Sequence, residues 1–278
     1  MAEPLTVAAP AKLNLDLLVQ GRRPDGYHEL DSLVVFTGLA DRLTLEPAAE
    51  LSLAVSGPFS GELPEPQANV VLRAAKRLAE TAGIGAGARL HLEKHIPIAA
   101  AALHGLVQLW GLKLGQTELR ELALPLGADL PVCLYGQPAR VRGLGERLDP
   151  IRGLPELPLV LVNPGRPVPT GAVFAGLDSA GVPSVRTEGL PSHPSLAQLA
   201  VWLGRSGNDL EPPAMALEPA IAETLAALRA NPECLVARMS GSGATCFGLF
   251  PSREVALRAA EAIRVGRAGW WIVSTSAC

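Results

Sequence analysis

The sequence lacks the features that mark membrane-spanning, secreted and nucleic-acid-binding proteins. No uncharged apolar run reaches the roughly 18 residues that a transmembrane helix needs. The first residues show no basic segment followed by an apolar one, so no signal peptide is expected. The net charge is only −3 and the basic residues are scattered along the chain. A nucleic-acid-binding face or a membrane-surface patch is therefore not expected.

Cysteine and aromatic residues are also scarce. The four cysteines do not occur in a CxxC pattern, which argues against a zinc site or a disulfide scaffold and favours a reduced, cytoplasmic protein. Aromatic residues make up only 4% of the chain, but the apolar fraction of 48% is that of an ordered protein. The sequence therefore predicts a folded cytoplasmic protein without a structural metal.

The length of 278 residues is large for a single hydrophobic core, so we expect two domains, at 1–153 and 154–278. Periodicity predicts strands at 13–19, 33–36, 42–45, 51–55, 89–96, 159–162, 234–239, 244–250 and 270–274, with further strand segments within 138–150. It predicts a helix capped by Asn69 and helices at 99–110, 117–124 (capped by Thr117), 196–203, 214–229 and 253–264. A surface loop is expected at 178–195. Because strands and helices mix without strict alternation, the fold class is α+β.

One lysine, Lys12, lies in the segment 9–16, which reads as an otherwise apolar strand. Lys12 is costly to bury there without an anionic partner, and Asp129, two residues before Pro131, offers a carboxylate. Together the two groups could activate a hydroxyl: the carboxylate accepts its proton, while the ammonium steadies negative charge. The alternatives are an ordinary salt bridge or no contact at all.

Two further segments have the composition of ligand-binding turns. Tyr27 and His28 follow Asp25-Gly26 and could hold a flat heterocycle by stacking and hydrogen bonding, or they could belong to a turn with a packed tyrosine. Residues 240–243, Ser-Gly-Ser-Gly, could present main-chain N–H groups to an anion, or could simply be a hairpin turn.

Taken together, the motifs resemble those of the GHMP small-molecule kinases. In chain order they are Pro10-Ala-Lys-Leu-Asn-Leu15, Asp25-Gly-Tyr-His28, Asn69-Val-Val-Leu-Arg-Ala-Ala75, Leu92-Glu-Lys-His-Ile-Pro97, Gly127-Ala-Asp-Leu-Pro131, Gly143-Leu-Gly-Glu146, Asn208-Asp-Leu-Glu211 and Met239-Ser-Gly-Ser-Gly-Ala-Thr-Cys-Phe247. The resemblance covers nearly the whole chain. It implies an N-terminal domain like domain 2 of ribosomal protein S5 and a ferredoxin-like C-terminal domain.

The resemblance also implies a reaction. The γ-phosphate of ATP, with Mg²⁺, would pass to the 2-hydroxyl of 4-diphosphocytidyl-2-C-methyl-D-erythritol in the non-mevalonate route to isoprenoids. Positioning and charge neutralisation dominate phosphoryl transfer, so a small set of side chains suffices. The implied partner is this small molecule alone, without nucleic acid or membrane, and the chain would be a monomer or a weak homodimer.

Individual residues match the roles that the resemblance implies. The catalytic pair would be Lys12 and Asp129, and no residue is assigned as a metal ligand. The residues that match substrate contacts are Asn14, Tyr27, His28, Gly241, Ser242 and Gly243. The residues that match contacts to ATP are Asn69, Lys94, Pro97, Ala99 and Ala100.

One segment departs from the family pattern. After Ala100 the chain continues directly into 101–104, Ala-Ala-Leu-His, where the family has a glycine- and serine-rich phosphate-binding loop; about ten residues are absent. The first hypothesis is a kinase with reduced or compensated ATP binding. The alternatives are a pseudokinase that binds a cytidine nucleotide, a kinase sequence that has lost an in-frame segment, and another sugar or amino-alcohol kinase of the same superfamily.

Overall fold

The computed structural model describes residues 4–62, 69–85, 87–96, 102–177 and 188–278. Within them the chain is α+β, which confirms the predicted class. The strands are β1 (Leu5–Asn14), β2 (Leu18–Arg22), β3 (His28–Ala48), β4 (Ser52–Ser56), β5 (Gly87–Glu93), β6 (Ala139–Gly143), β7 (Arg147–Pro150), β8 (Leu157–Asn163), β9 (Val236–Met239), β10 (Cys246–Leu249) and β11 (Trp271–Ala277). The α-helices are α1 (Val70–Ala82), α2 (Ala102–Leu109), α3 (Gln116–Ala123), α4 (Leu130–Tyr135), α5 (Thr170–Leu177), α6 (Leu196–Gly204), α7 (Glu211–Leu217), α8 (Ala220–Arg229) and α9 (Arg253–Arg264).

The chain divides into two compact units. Unit 1 comprises Met1–Lys12 and Gly38–Gln137, and unit 2 comprises Leu13–Thr37 and Pro138–Cys278. This division differs from the boundary between residues 153 and 154 that the sequence suggested. The reason is that β1 and β3 each contribute to both units, and that β6 pairs with the first part of β3, which belongs to unit 2.

In unit 1 a small sheet is covered by helices. The second part of β3 pairs antiparallel with β5, from Arg42 opposite Glu93 to Ala48 opposite Gly87, and β4 lies parallel to β5. Helix α1 begins where predicted, because the Asn69 side chain accepts a hydrogen bond from the Val71 N–H at 2.9 Å. Its apolar side packs into a core with residues of β3, β5, α2, α3 and α4.

In unit 2 the strands follow the order β3-β11-β8-β10-β9, with antiparallel neighbours. Strands β2 and β6 also pair with β3, and β6 forms a hairpin with β7 as predicted around Gly143. The β8 sequence is almost entirely buried, which is expected for a strand with partners on both edges. Residues of β8, α7, α8 and α9 form most of the core.

Several predicted boundaries were wrong, three of them for clear local reasons. The two strands expected at 33–36 and 42–45 are one strand, β3, because successive partners keep the chain extended through Gly38. The helix expected at 214–229 is broken between α7 and α8, since Pro219 has no N–H with which to continue the helix. Helix α3 is capped at Gly115, whose N–H donates to the Glu118 carboxylate at 2.7 Å, and not at Thr117.

Among the described residues, no helix combines the length and the apolar character needed to cross a membrane.

Candidate active site

The predicted lysine–aspartate pair forms within unit 1. Lys12 Nζ lies 2.9 Å from Asp129 Oδ1, although the two residues are more than a hundred positions apart in the sequence. The Lys12 side chain is 17% exposed and that of Asp129 is 72% exposed. Solvent or a ligand can therefore reach the carboxylate, while the lysine stem is largely covered. An accessible acid beside an ammonium is the arrangement needed to deprotonate and stabilise an attacking hydroxyl.

Helix α4 anchors the main chain of Asp129. Asp129 directly precedes the helix, and its carbonyl accepts a hydrogen bond from the Cys133 N–H at 3.1 Å. Burial raises the pKa of the Cys133 thiol to about 11, and the nearby Lys12 only partly offsets this. The thiol thus remains protonated near neutral pH and does not compete as a nucleophile.

In unit 2, Asn14 connects β1 to the turn between β9 and β10. The Asn14 N–H donates to Ser240 Oγ at 3.0 Å, and the Asn14 amide nitrogen donates to Ser32 Oγ at 2.7 Å. A Cβ placed on Gly241 would lie 3.6 Å from Asn14 Oδ1. The structure therefore brings two sequence-predicted substrate residues, Asn14 and Gly241, next to each other.

The turn at residues 240–243 depends on its glycines. Gly241 has φ 58° and Gly243 has φ 90°, conformations that residues with a side chain rarely adopt. The Gly243 N–H donates to the Ser240 carbonyl at 3.1 Å, whereas the N–H groups of Gly241 and Ser242 donate to no described residue. Ser242 Oγ lies 2.8 Å from Thr170 Oγ, at the start of α5. Two main-chain donors and a hydroxyl are thus available to an anionic or hydroxylated ligand.

The motif at 208–211 fixes this turn, which the sequence did not indicate. The Asn208 amide donates to the carbonyls of Met239 and Gly241, both at 2.8 Å. The Glu211 carboxylate accepts from the Met239 N–H at 2.9 Å. Asp209 accepts from the Val19 N–H at 2.7 Å. The polar side chains of this motif therefore hold main-chain atoms of the turn and of β2 in place.

Tyr27 and His28 occupy a turn and the start of β3, also in unit 2. The Tyr27 N–H donates to Asp25 Oδ1 at 3.2 Å, and the hydrogen bond from the Arg23 guanidinium lowers the pKa of Asp25. Tyr27 is 66% exposed, so a ligand can reach its ring. The His28 ring stacks on Phe174 with ring centres 5.2 Å apart and an interplanar angle of 25°.

Phe174 was missed in the sequence analysis. It lies in α5, in an apolar segment whose pattern gives no indication of a ligand-binding ring. Its stacking on His28 adds an aromatic surface beside the predicted heterocycle-binding residues.

Two of the predicted ATP-binding residues, Asn69 and Lys94, are buried in unit 1. Asn69 is 3% exposed and its side-chain oxygen caps α1. Lys94 is 2% exposed, and its Nζ donates to Asp41 Oδ2 at 2.6 Å and to the Ile96 carbonyl. In the described structure both side chains support neighbouring main chain, so contact of either with a nucleotide stays a prediction. Pro97, Ala99 and Ala100, together with the shortened segment, lie outside the described residues.

The sequence analysis assigned no residue as a metal ligand. Among the described residues, no three histidine, cysteine or acidic side chains are grouped so that they could hold a metal ion.

Comparisons with known proteins agree with the sequence resemblance. The model of the GHMP kinases N terminal domain matches residues 69–137, and the model of the GHMP kinases C terminal matches residues 187–266. A protein of Cereibacter sphaeroides named 4-diphosphocytidyl-2-C-methyl-D-erythritol kinase is 52% identical over 275 residues, 95% of this chain and 96% of the relative. A protein of the same name from Parvibaculum lavamentivorans is 47% identical, with 100% of this chain and 99% of the relative covered.

The second alignment also bears on the length of the chain. It extends over 288 residues although this chain has 278, so the relative has residues at ten or more positions where this chain has none. The difference has the size of the shortening predicted after Ala100.

Solved structures lead to the same family. The crystal structure of a 4-(cytidine 5'-diphospho)-2C-methyl-D-erythritol kinase has a TM-score of 0.73 and 38% identity, and the match covers 99% of this chain and 100% of that one. A homoserine kinase from Cytophaga hutchinsonii, at 21% identity and a TM-score of 0.65 over 98% of both chains, shares the fold. Because relatives at about half identity match over nearly their full length, and both domain models match in order, the chain belongs to the GHMP kinase family.

Proposed function

We propose that this protein transfers the γ-phosphate of ATP to the 2-hydroxyl of 4-diphosphocytidyl-2-C-methyl-D-erythritol, a step of the non-mevalonate route to isoprenoids. The observation that carries the reaction is the ion pair between Lys12 and Asp129 at 2.9 Å. The observation that carries the substrate is the name shared by full-length relatives at 46–52% identity. Nothing in the described contacts or in the comparisons favours a pseudokinase.

The proposed chemistry is an in-line displacement. Asp129 accepts the proton of the substrate 2-hydroxyl as its oxygen forms a bond to the γ-phosphorus, and the bond between that phosphorus and the ADP oxygen breaks. Lys12 offsets the negative charge on the attacking oxygen and the transferring phosphoryl group. The products are the 2-phosphorylated substrate, with the proton on Asp129, and ADP.

Substrate recognition is proposed for residues of unit 2. Tyr27 and His28 would hold the cytosine ring, and the stacking of His28 on Phe174 supports this because it presents an ordered aromatic surface beside an exposed tyrosine. Asn14 would contact a hydroxyl of the sugar alcohol. The turn residues Gly241, Ser242 and Gly243 would contact the diphosphate or the sugar alcohol, because two N–H donors of this turn are available.

For ATP we propose the region that contains Asn69, Lys94, Pro97, Ala99 and Ala100. The buried ion pair of Lys94 supports this role indirectly, because it orders the main chain that leads to Pro97. Mg²⁺ would accompany ATP and neutralise phosphate charge, and ions of this kind are held largely by substrate phosphates and water.

We further propose that the protein acts in the cytoplasm as a monomer or weak homodimer. The four cysteines Cys133, Cys234, Cys246 and Cys278 are free thiols, which is consistent with a reducing compartment.

The function is tested by a coupled assay of ADP release with ATP, Mg²⁺ and 4-diphosphocytidyl-2-C-methyl-D-erythritol. We expect turnover that requires the cytidine substrate and that does not occur with homoserine or mevalonate. Titration of ATP in the same assay reports on the shortened segment, for which we expect a raised KM, because glycine-rich loops supply several hydrogen bonds to phosphate. Binding of the cytidine substrate without any ADP release, at ATP concentrations up to saturation, would establish the pseudokinase alternative and overturn the proposal.

Cytidine recognition gives a separate prediction for Tyr27→Ala. Cytidine diphosphate is expected to raise the melting temperature of the wild-type protein, and the variant is expected to lose this rise, because stacking of a base on an aromatic ring contributes roughly 1–3 kcal/mol. The measurement is thermal unfolding with and without the nucleotide. Val201→Ala is the matched control, since Val201 is also an exposed apolar residue of unit 2, and the shift should persist in it. An equal shift in Tyr27→Ala would contradict the assignment.

A further inference from the structure

Two hydrogen bonds in series link the Asn14 side chain, through Ser32 Oγ, to the main-chain carbonyl of Asp16. The Asn14 amide nitrogen lies 2.7 Å from Ser32 Oγ, and Ser32 Oγ lies 2.6 Å from the Asp16 carbonyl oxygen. Asn14 and Ser32 are 6% and 2% exposed, so water has little access to these contacts. All three residues belong to unit 2.

In this series of hydrogen bonds, the donor and the acceptor of each bond are fixed. A carbonyl oxygen only accepts, so the Ser32 hydroxyl must give its single proton to Asp16. The oxygen of Ser32 is then left as an acceptor, and only the amide NH₂ of Asn14 can donate to it. The donor and acceptor capacities of these groups therefore fix the orientation of the Asn14 amide.

The consequence is that Asn14 turns its oxygen away from Ser32. No described residue donates a hydrogen bond to Asn14 Oδ1, although the side chain is almost completely buried. Gly241 lies beside this oxygen, and its missing side chain leaves the space open. This oxygen is not one of the fully buried side-chain atoms that lack a partner, so a ligand hydroxyl or water can reach it and supply the donor.

Building on the proposed function, we infer that Asn14 recognises the substrate as an acceptor, from a hydroxyl of the methylerythritol chain, and that Ser32 is the positioning residue that fixes this orientation. Ser32 does not touch the substrate. It acts by making the opposite orientation unfavourable, since a flipped Asn14 would set its oxygen against the Ser32 oxygen and leave neither with a proton to share.

The test is a double-mutant cycle on Ser32→Ala and Asn14→Ala, read as kcat/KM for the cytidine substrate, KM for ATP and the calorimetric Kd of the substrate without ATP. Ser32→Ala should lower kcat/KM and affinity for the substrate by about tenfold, the effect of one hydrogen bond to a polar partner, and leave the KM for ATP unchanged. In the Asn14→Ala background, Ser32→Ala should have no further effect, because its influence passes through the amide.

Two more variants separate positioning from general stability. Ser32→Thr keeps the hydroxyl and should retain the wild-type Kd, including when Ser32→Ala folds poorly. Ser206→Ala removes a hydroxyl that bonds Asp16 at 3.1 Å without contacting Asn14, and should leave the Kd unchanged.

The outcomes distinguish this inference from the proposed function. Additive losses in the double variant, or an unchanged Kd in Ser32→Ala, would refute the positioning role while wild-type turnover still stands. Failure of the wild-type protein to bind or phosphorylate the substrate would refute the proposed function and this inference with it.

Discussion

Asp129→Asn is expected to lower kcat by about a hundredfold to ten-thousandfold, the usual contribution of a positioned general base. Asparagine has nearly the same shape as aspartate, but it cannot accept the substrate proton, and it does not carry the charge that pairs with Lys12. Steady-state assays at saturating ATP and substrate measure the loss. Binding of cytidine diphosphate should be retained, because the residues proposed to hold it belong to unit 2 and Asp129 belongs to unit 1.

The same substitution should scarcely change stability. The Asp129 carboxylate is mostly exposed, and exposed ion pairs contribute on the order of 0–1 kcal/mol. A melting temperature close to that of the wild-type protein would therefore assign the loss of turnover to chemistry and not to unfolding.

Glu46→Gln provides a matched control. Glu46 is a surface carboxylate of unit 1 that pairs with Arg89 at 3.1 Å, so the substitution also converts an ion-paired acid to its amide. We expect normal turnover in this variant. Wild-type turnover in Asp129→Asn itself would show that the carboxylate does not take the proton, and the catalytic role would then pass to another group.

The sequence predicted some contacts because a rule of physical chemistry required them. A lysine in an apolar strand needs an anion, and Lys12 has one in Asp129. An asparagine before an apolar helical pattern is expected to cap it, and Asn69 does so. In both cases the residue type itself restricted the possible partners.

Other contacts depended on packing that the sequence does not encode locally. Phe174 stacks on His28 from a helix about 145 positions further along the chain, and nothing in its own segment marks it. Asp41 is separated from Lys94 by 53 residues. In the strand predicted at 89–96, alternation places Leu90, Leu92 and Lys94 on one face, but it does not identify which carboxylate lies opposite the lysine.

That buried pair carries the second large prediction, which concerns stability. Asp41 is 0% exposed, and its Oδ1 accepts hydrogen bonds from the N–H groups of His95 and Ile96 at 2.6 and 2.9 Å, while Oδ2 accepts from Lys94 Nζ at 2.6 Å. One carboxylate thus satisfies three donors at the end of β5. Asp41→Ala removes the acceptor for all three donors and takes the carboxylate away from a buried ammonium.

The expected cost is about 3–5 kcal/mol in the free energy of unfolding, the range for removing one partner of a buried ion pair. For a chain of this size the loss corresponds to a fall in melting temperature of roughly 6–20 °C. Calorimetry or circular dichroism of the full-length protein measures it. Arg89→Ala is the matched control, because it breaks an exposed ion pair of the same unit and should change stability by about 1 kcal/mol or less.

The two partners are not equivalent, and this makes the prediction specific. Lys94→Met should lower the free energy of unfolding less than Asp41→Ala, because Asp41 then keeps two main-chain donors, whereas Asp41→Ala takes the carboxylate away from those donors and from the ammonium. The double variant Asp41→Leu with Lys94→Met should recover part of the loss, since it leaves no unpaired charge in the interior. If Asp41→Ala lowered the free energy of unfolding by less than about 1 kcal/mol, water would have to reach the ammonium, which contradicts a 2% exposed lysine.

Because His95 and Ile96 directly precede the segment proposed to bind ATP, the KM for ATP should rise in Asp41→Ala even at temperatures where the protein remains folded, and it should be unaffected in Arg89→Ala.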